Sequence, residues 1–279
     1  MNLERLPADS IDLVVECASR RKAAVVIAYY RQVAPDEVLG AQSGYATKPV
    51  NLIALTKGVV RRVSTPLNQL LVPDKALIFR ITHRDNVAHL LEHGVHCRNS
   101  PVVNPNFVEI GHPEIIGRRA IKAVGVSPYG TLADYVPFYF TPCSPMLYNI
   151  VTGWKGLRRR DRAEIVILLT SLDTLEQHDL PYVVADRNAA LDFALLAPCR
   201  ELVPGLSWRD WQNRDFRHDA DNPAKVERYQ AEALVHDHLP SGALRAIITY
   251  DEPTRIAVAL LAADTAASPP VRMIPSWYV

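Results

Sequence analysis

Several features that would place a protein in a class at first sight are missing from this chain of 279 residues. No apolar run approaches the roughly 20 residues that span a bilayer, and no basic segment followed by an apolar stretch indicates a signal peptide. The four cysteines, Cys17, Cys97, Cys143 and Cys199, lie far apart and form no C-x-x-C pair. We therefore expect a cytoplasmic protein with reduced thiols and no membrane partner.

Charge and glycine patterns are equally sparse. The formal net charge is +1, which neither demands nor excludes nucleic acid, because binding depends on local basic patches. The glycines form neither G-x-G-x-x-G nor a P-loop, so any nucleotide is not held in the Rossmann or Walker manner. One basic patch is present, and a phosphate-contacting loop and a solvated loop explain it equally well: Arg158, Arg159, Arg160 and Arg162.

Strand and helix patterns alternate without the regular spacing of a doubly wound sheet, which favours the α+β class. Predicted strands cover residues 76–82, 136–140, 165–171, 182–184, 232–235 and 246–250. Predicted helices cover residues 85–92, 113–124, 188–196 and 222–230. Pro66 and Pro73 bracket a junction that separates an N-terminal extension, residues 1–72, from the main domain, residues 73–279.

The extension reads as a small α/β unit. Ser10 can cap a helix over residues 11–19, and a second helix is predicted over residues 35–40. The apolar run at residues 23–30 fits a strand or a helix, and residues 51–63 resemble two short strands. Its role is open between DNA targeting, self-restraint and dimerisation.

Residues 135–150 are the most informative segment, because they combine several aromatics with three prolines and a methionine. A core strand avoids proline, which removes a hydrogen-bond donor and fixes φ. A short apolar strand runs into a Pro-Cys-Ser-Pro turn, after which a second apolar run begins at Met146. Such a turn forms either a rigid wall for a flat ligand or a stiffened corner of the core.

Individual side chains could provide metal binding, nucleophilic catalysis or stabilisation of a developing charge. A zinc site at His89, His93, His96 and Cys97 is a minor alternative, because Gly94 ends the helix before the last two ligands. Neither Ser144 nor Cys143 lies in a motif that names a catalytic base. Glu232 opens an otherwise apolar strand, and at the mouth of a cleft such a carboxylate can stabilise positive charge on a sugar.

A series of motifs, in order and with similar spacing from about residue 77 to the C-terminus, resembles the DarT family of DNA ADP-ribosyltransferase toxins. The motifs lie at residues 81–86 with 91–94, 115–119, 136–148, 186–188, 230–235 and 275–278. The resemblance implies an ADP-ribosyltransferase-like fold with a cleft in its central sheet. It also implies an enzyme that cleaves NAD, releases nicotinamide and joins ADP-ribose to a base in single-stranded DNA, without a metal.

The resemblance assigns roles to individual residues of this chain. Glu232 would act at the nicotinamide ribose, and Arg119, or its neighbour Arg118, would serve the acceptor base. The expected NAD-binding residues are Arg80, Thr82, His83, Asn86, Tyr139 and Met146. The expected nucleic-acid contacts are Arg118, Arg158, Arg159, Asn188 and Trp211, the last with Trp208 and Phe216 as stacking aromatics or, alternatively, as anchors of a long loop.

The chain departs from the family pattern at Arg80 and Asn188, where members often carry histidine, and at Cys143, where many carry arginine. These departures keep two alternatives open. The acceptor could be RNA, a nucleoside or a protein, or the domain could be a catalytically inactive nucleic-acid-binding module. The resemblance further implies a toxin or defence effector that is paired with a macrodomain antitoxin.

Overall fold

The computed structural model describes residues 66–279 and, ahead of them, the backbone of two strands, β1 (Asp12–Cys17) and β2 (Ala24–Tyr29). These strands pair antiparallel. The helix predicted over residues 11–19 is therefore wrong, because the run Leu13-Val14-Val15 favours extended backbone over the weak capping signal. Within the run at 23–30, whose sequence fits a strand or a helix, Ala24–Tyr29 form a strand. The elements predicted at 35–40 and 51–63 lie outside the described residues.

Ten further strands follow in the second part of the chain. They are β3 (Leu77–His83), β4 (Val95–His96), β5 (Tyr135–Tyr139), β6 (Ile165–Ser171), β7 (Tyr182–Ala185), β8 (Leu196–Ala197), β9 (Glu232–His236), β10 (His238–Leu239), β11 (Ala246–Thr249) and β12 (Val271–Met273). Eight of them form one sheet in the order β12-β11-β6-β3-β5-β9-β7-β8. Its pairs are antiparallel except β11 with β12. The remaining two, β4 and β10, pair with each other.

Short helices connect these strands. They are α1 (Leu67–Leu70), α2 (Val87–His93), α3 (Pro113–Ile121), α4 (Pro145–Thr152), α5 (Leu172–Gln177), α6 (Trp208–Asn213), α7 (Lys225–Tyr229) and α8 (Glu252–Ala263). The predicted stop of α2 at Gly94 is confirmed, because that residue has φ of 87° and caps the helix. No helix within residues 66–279 is long and apolar enough to cross a membrane.

The helix predicted over residues 188–196 is wrong, since this segment forms two successive turns before β8. Its backbone N–H groups are used elsewhere. The amide of Asn188 donates to the Glu227 carbonyl at 3.2 Å, and that of Leu195 donates to the Asp186 carboxylate at 2.9 Å. Tertiary partners thus outweigh the helix signal of the local sequence.

The chain divides into two compact units, Met1–Arg61 and Arg62–Val279. Leu67 and Leu71 belong to the core of the second unit, so its packing begins before the junction expected near residue 72. In that core the Phe79 ring meets Trp277 edge to face, with 5.5 Å between centroids. The mixed sheet with short helices confirms the expected α+β class.

Candidate active site

A cleft of about 300 Å³ lies along β3, β5 and β9, the middle strands of the large sheet. Seven residues singled out from the sequence line it: Arg80, Thr82, Arg119, Tyr139, Met146, Asn188 and Glu232. These residues come from six different elements and loops. The structure therefore brings together side chains that the sequence separates by up to 152 positions, from Arg80 to Glu232.

Glu232 is the buried acid of this cleft. It is the first residue of β9, where it pairs with Tyr139 of β5 on one side and Ala185 of β7 on the other. Its side chain is only 2% exposed. A carboxylate so deeply buried requires partners. The Ala189 backbone N–H donates to its Oε1 at 3.3 Å, and a guanidinium supplies the rest.

That guanidinium belongs to Arg119, in the last turn of α3. Its Nη1 donates to Glu232 Oε1 at 3.0 Å and its Nη2 donates to Oε2 at 2.8 Å, which makes a bidentate pair. Burial alone would lower the pKa of Arg119, but the charge and hydrogen bonds of Glu232 outweigh it and raise that pKa. Arg119 is therefore a fixed cation that orients and polarises, and it is unsuited to accept a proton.

A second cation, Arg80 of β3, lines the same cleft. Its Nη1 donates to the Pro137 carbonyl at 3.0 Å. Burial lowers the pKa of Arg80, Glu109 opposes this, and the nearby Arg119 adds to the lowering. The cleft lining thus includes three guanidiniums, those of Arg80, Arg98 and Arg119, and two carboxylates, those of Glu109 and Glu232, so that cations outnumber anions, which suits an anionic ligand.

Tyr139, the strand partner of Glu232, and Met146 also line the cleft. The Tyr139 hydroxyl donates to the Met146 sulfur at 3.8 Å. Burial, with a smaller contribution from Glu232, raises the pKa of Tyr139, so the phenol stays neutral. Pro145 is the first residue of α4 and Ser144 caps it, since the Ser144 hydroxyl accepts the Leu147 N–H at 3.1 Å. The proline turn is both a cleft wall and a corner of the core.

Two residues expected in the NAD site, Asn86 and His83, do not line the cleft. Asn86 is completely buried and fastens a cleft loop to β3. It donates to Thr82 Oγ1 at 3.1 Å and to the Val108 carbonyl at 3.0 Å, and it accepts the Val108 N–H at 2.8 Å. His83 is also buried, and its Nε2 lies 3.3 Å from Glu164 Oε2. Asn86 therefore supports the loop that carries Val108.

The residues expected to bind nucleic acid separate into three groups. Arg118, Arg158 and Arg159 are exposed, and Asn188 lines the cleft. The prediction that Trp211 binds nucleic acid is wrong, because this side chain is fully buried and stacks on Phe140, so it cannot offer a face to a base.

Trp208 and Arg160 also make hydrogen bonds within the fold. The Trp211 indole N–H donates to the Tyr229 carbonyl at 2.9 Å, and that of Trp208 donates to the Val203 carbonyl at 2.8 Å. Arg160 is buried and donates to Glu164 Oε2 at 3.2 Å. Of the basic patch, only its exposed arginines are open to a phosphate.

Sequence reasoning missed part of the lining. Gln230, Glu109 and Phe107 line the cleft, and the Ala189 amide reaches Glu232. A backbone amide carries no residue-type signal, so only the fold reveals it. Within residues 66–279, no group of three or more His, Cys, Asp or Glu side chains could hold a metal ion. The rings of His89 and His93 lie 4.3 Å apart, tilted against each other.

Comparisons with known proteins identify the family. Residues 79–279 match the family model described as DarT, ssDNA thymidine ADP-ribosyltransferase. A DNA ADP-ribosyl transferase of Escherichia coli O127:H6 is 49% identical over 184 residues, which cover 66% of this chain and 84% of that protein.

Solved structures agree with the family match. DarT of Thermus sp. 2.9 in complex with ADP-ribosylated ssDNA superposes with a TM-score of 0.66 at 30% identity, covering 74% of this chain and 98% of that one. The same protein in complex with NAD+ gives 0.63 at 29% identity, covering 74% and 99%. Together with the α+β sheet and its central cleft, these matches confirm the resemblance seen in the sequence, and the chain belongs to the DarT family of ssDNA thymidine ADP-ribosyltransferases.

Proposed function

We propose that this protein transfers ADP-ribose from NAD to thymidine in single-stranded DNA and releases nicotinamide. The observation that carries the proposal is the buried Glu232 carboxylate, held by Arg119 through two hydrogen bonds at the centre of the cleft. The family description names thymidine in ssDNA. Related DarT structures hold NAD+ and ADP-ribosylated ssDNA.

The cleft residues fit NAD as a substrate. A dinucleotide needs cations for its diphosphate and flat walls for its rings. Arg80 and Arg119 both line the cleft, while Tyr139 and Met146 supply an aromatic and a polarizable surface. The volume of about 300 Å³ is at the lower end of the range for small-molecule sites.

Glu232 is the residue that we assign to bond cleavage. Positive charge develops on the ribose as the bond to nicotinamide breaks, and a carboxylate already in place stabilises that charge without reorganisation. Its burial strengthens the interaction, because water is excluded from the site. The Ala189 amide and the Arg119 fork fix its orientation.

Arg119 is the residue that we assign to the acceptor. A thymine edge is a weak nucleophile, so orientation and polarisation of its oxygen and nitrogen atoms matter. One edge of the Arg119 guanidinium is hydrogen-bonded to Glu232, and the Arg119 side chain is 16% exposed. It therefore connects the place where charge develops to the place where the acceptor base arrives.

The decisive experiment compares the wild type with Glu232→Gln, which keeps the size of the side chain and removes its charge. Each protein is incubated with NAD and a single-stranded oligonucleotide containing one thymidine, and the DNA is measured by intact mass. We expect the wild type to add one ADP-ribosyl group and Glu232→Gln to be slower by roughly 10²–10³-fold. Glu252→Gln, on α8 beside Arg255, is the matched control and should match the wild type.

Other acceptors are tested in the same format. An oligonucleotide without thymidine, the matching RNA and free thymidine should all stay unmodified. Modification of RNA with DNA unchanged would move the assignment to the RNA alternative. Intact NAD with every acceptor, in a folded protein, would favour the inactive binding module.

We further propose that the protein acts in the cytoplasm as a toxin or defence effector. Cys97, Cys143 and Cys199 are free thiols, which suits a reducing compartment. Burial raises the pKa of the Cys143 thiol to about 11, so it is unreactive at neutral pH. The macrodomain antitoxin and the role of residues 1–72 stay predictions.

A further inference from the structure

Phe193 is an aromatic side chain that the fold leaves in the open. It lies in the turn segment between β7 and β8 and is 57% exposed. The guanidinium carbon of Arg187 lies 5.2 Å from the centre of its ring, in cation–π contact. These two side chains form a flat surface, which we call the Phe193 shelf. Core packing does not explain it, because most of the ring faces solvent.

The Phe193 shelf is held in place from below. The Arg187 Nη2 donates to Asp186 Oδ2 at 2.7 Å, and its Nε contacts both oxygens of the same carboxylate. Asp186 Oδ1 also accepts the Leu195 N–H at 2.9 Å, which closes the neck of the segment. The orientation of the guanidinium is therefore fixed before any ligand arrives, which lowers the entropic cost of binding.

The same segment contacts Glu232 and the C-terminal end of α3. The Ala189 N–H donates to Glu232, and Asn188 lines the cleft itself. On the other side, Asp192 pairs with Lys122 at 2.6 Å, at the end of the helix that carries Arg119. The segment that carries the Phe193 shelf thus contacts both Glu232 and the end of the helix that carries Arg119.

Charge and shape favour single-stranded DNA as the occupant. Asp186 and Asp192 are each neutralised by a cation, so they do not repel a phosphate. Arg118 is exposed and lies in the last turn of α3, four residues before Lys122, which caps that helix. An exposed aromatic ring and an exposed arginine are the kinds of side chain that bind an unpaired base and its phosphate.

We propose that Phe193 stacks on a base next to the thymidine that enters the cleft and so positions the DNA strand for transfer. This inference rests on the proposed function, since it concerns the acceptor strand of that reaction. It assigns Phe193 a part in strand binding that is separate from the binding of NAD.

The test uses two oligonucleotides with a single thymidine, one with bases on both sides and one with abasic sites on both sides. Phe193→Ala should raise the KM for the first oligonucleotide by roughly tenfold, in line with the loss of one stacked base. With the abasic oligonucleotide, the same substitution should change the KM by less than about twofold, because the stacking partner is gone. Phe193→Trp should restore the KM on the first.

The outcomes separate the two proposals. If the wild type modifies neither oligonucleotide, the proposed function fails. If the wild type is active but Phe193→Ala has the same effect on both oligonucleotides, or none, the stacking inference is overturned. Leu261→Ala removes an exposed apolar side chain from α8 and should leave both KM values unchanged. Thermal unfolding of each variant checks that it is folded.

Discussion

The two walls of the cleft are built in different ways. The proline wall, residues 135–149, is embedded in the core: Phe138, Phe140 and Leu147 are fully buried, and the lining side chains lie between them in the sequence. The helical wall, residues 107–120, includes most of α3, and no residue of that helix is buried. One wall is therefore fixed by packing, and the other, in which only Ile110 is buried, depends mainly on a few polar contacts.

Those polar contacts can be named. Arg119 is held by Glu232, the Val108 backbone is held by Asn86, and the Glu109 carbonyl accepts Arg160 Nη2 at 3.3 Å. A wall held in this way can shift without unfolding the domain. Substitutions in the helical wall should therefore act mainly on substrate binding and transfer, whereas those in the proline wall should act mainly on stability.

The largest expected effect is that of Arg119→Lys in the helical wall. Lysine keeps the charge but loses the planar fork, so the two hydrogen bonds to Glu232 cannot both form. We expect kcat for DNA modification to fall by roughly 10²–10³-fold while the melting temperature changes little. Arg118→Lys is the matched control on the next residue, and it should fall less than about threefold. A loss confined to Arg118→Lys would move the acceptor role to Arg118, and an equal loss in both variants would mean that the role is not specific to Arg119.

Leu147→Ala tests the proline wall and should give the next largest effect. Leu147 is fully buried at the start of α4, next to the cleft residue Met146. Deleting a buried leucine side chain typically costs about 3 kcal/mol of unfolding free energy. Urea unfolding measures this loss of stability. The KM for NAD, measured under conditions where the variant is folded, should stay within about twofold of the wild-type value, because the surrounding core holds the proline wall in place. A large rise in that KM with stability intact would reverse the comparison.

The sequence predicted one element of each wall, strand β5 and helix α3, but it did not predict helix α4 of the proline wall. Strands β3, β5, β6, β9 and β11 follow from apolar runs, because burial on both sides of a sheet leaves a strong local signal. The contact between Arg119 and Glu232 spans 113 positions, and no local pattern encodes it. Glu232 stands out as an acid at the start of an apolar strand, whereas the role of Arg119 follows only from the family motifs, whose order carries tertiary information that single residues lack.

The errors have physical reasons as well. Trp211 was expected at the DNA because aromatic composition does not distinguish a stacking residue from a core residue, and here its N–H finds a buried carbonyl. Phe193, which the structure leaves exposed, gave no signal, since it lies in a segment read as a helix. The distinction between the two aromatics is made by tertiary contacts alone.

Asn86→Ala should give the smallest of these effects, and it tests whether the helical wall responds at a distance. The change removes three hydrogen bonds and leaves the Val108 N–H and carbonyl without their partner, which typically costs about 2 kcal/mol. Because the loop that carries Glu109 is then released, the KM for NAD should rise by roughly fivefold while kcat stays nearly unchanged. Asn106→Ala, an exposed asparagine of the same loop, is the matched control and should alter neither quantity. Loss of stability with an unchanged KM would mean that Asn86 supports the fold without positioning the wall, and that the helical wall is more rigid than its contacts indicate.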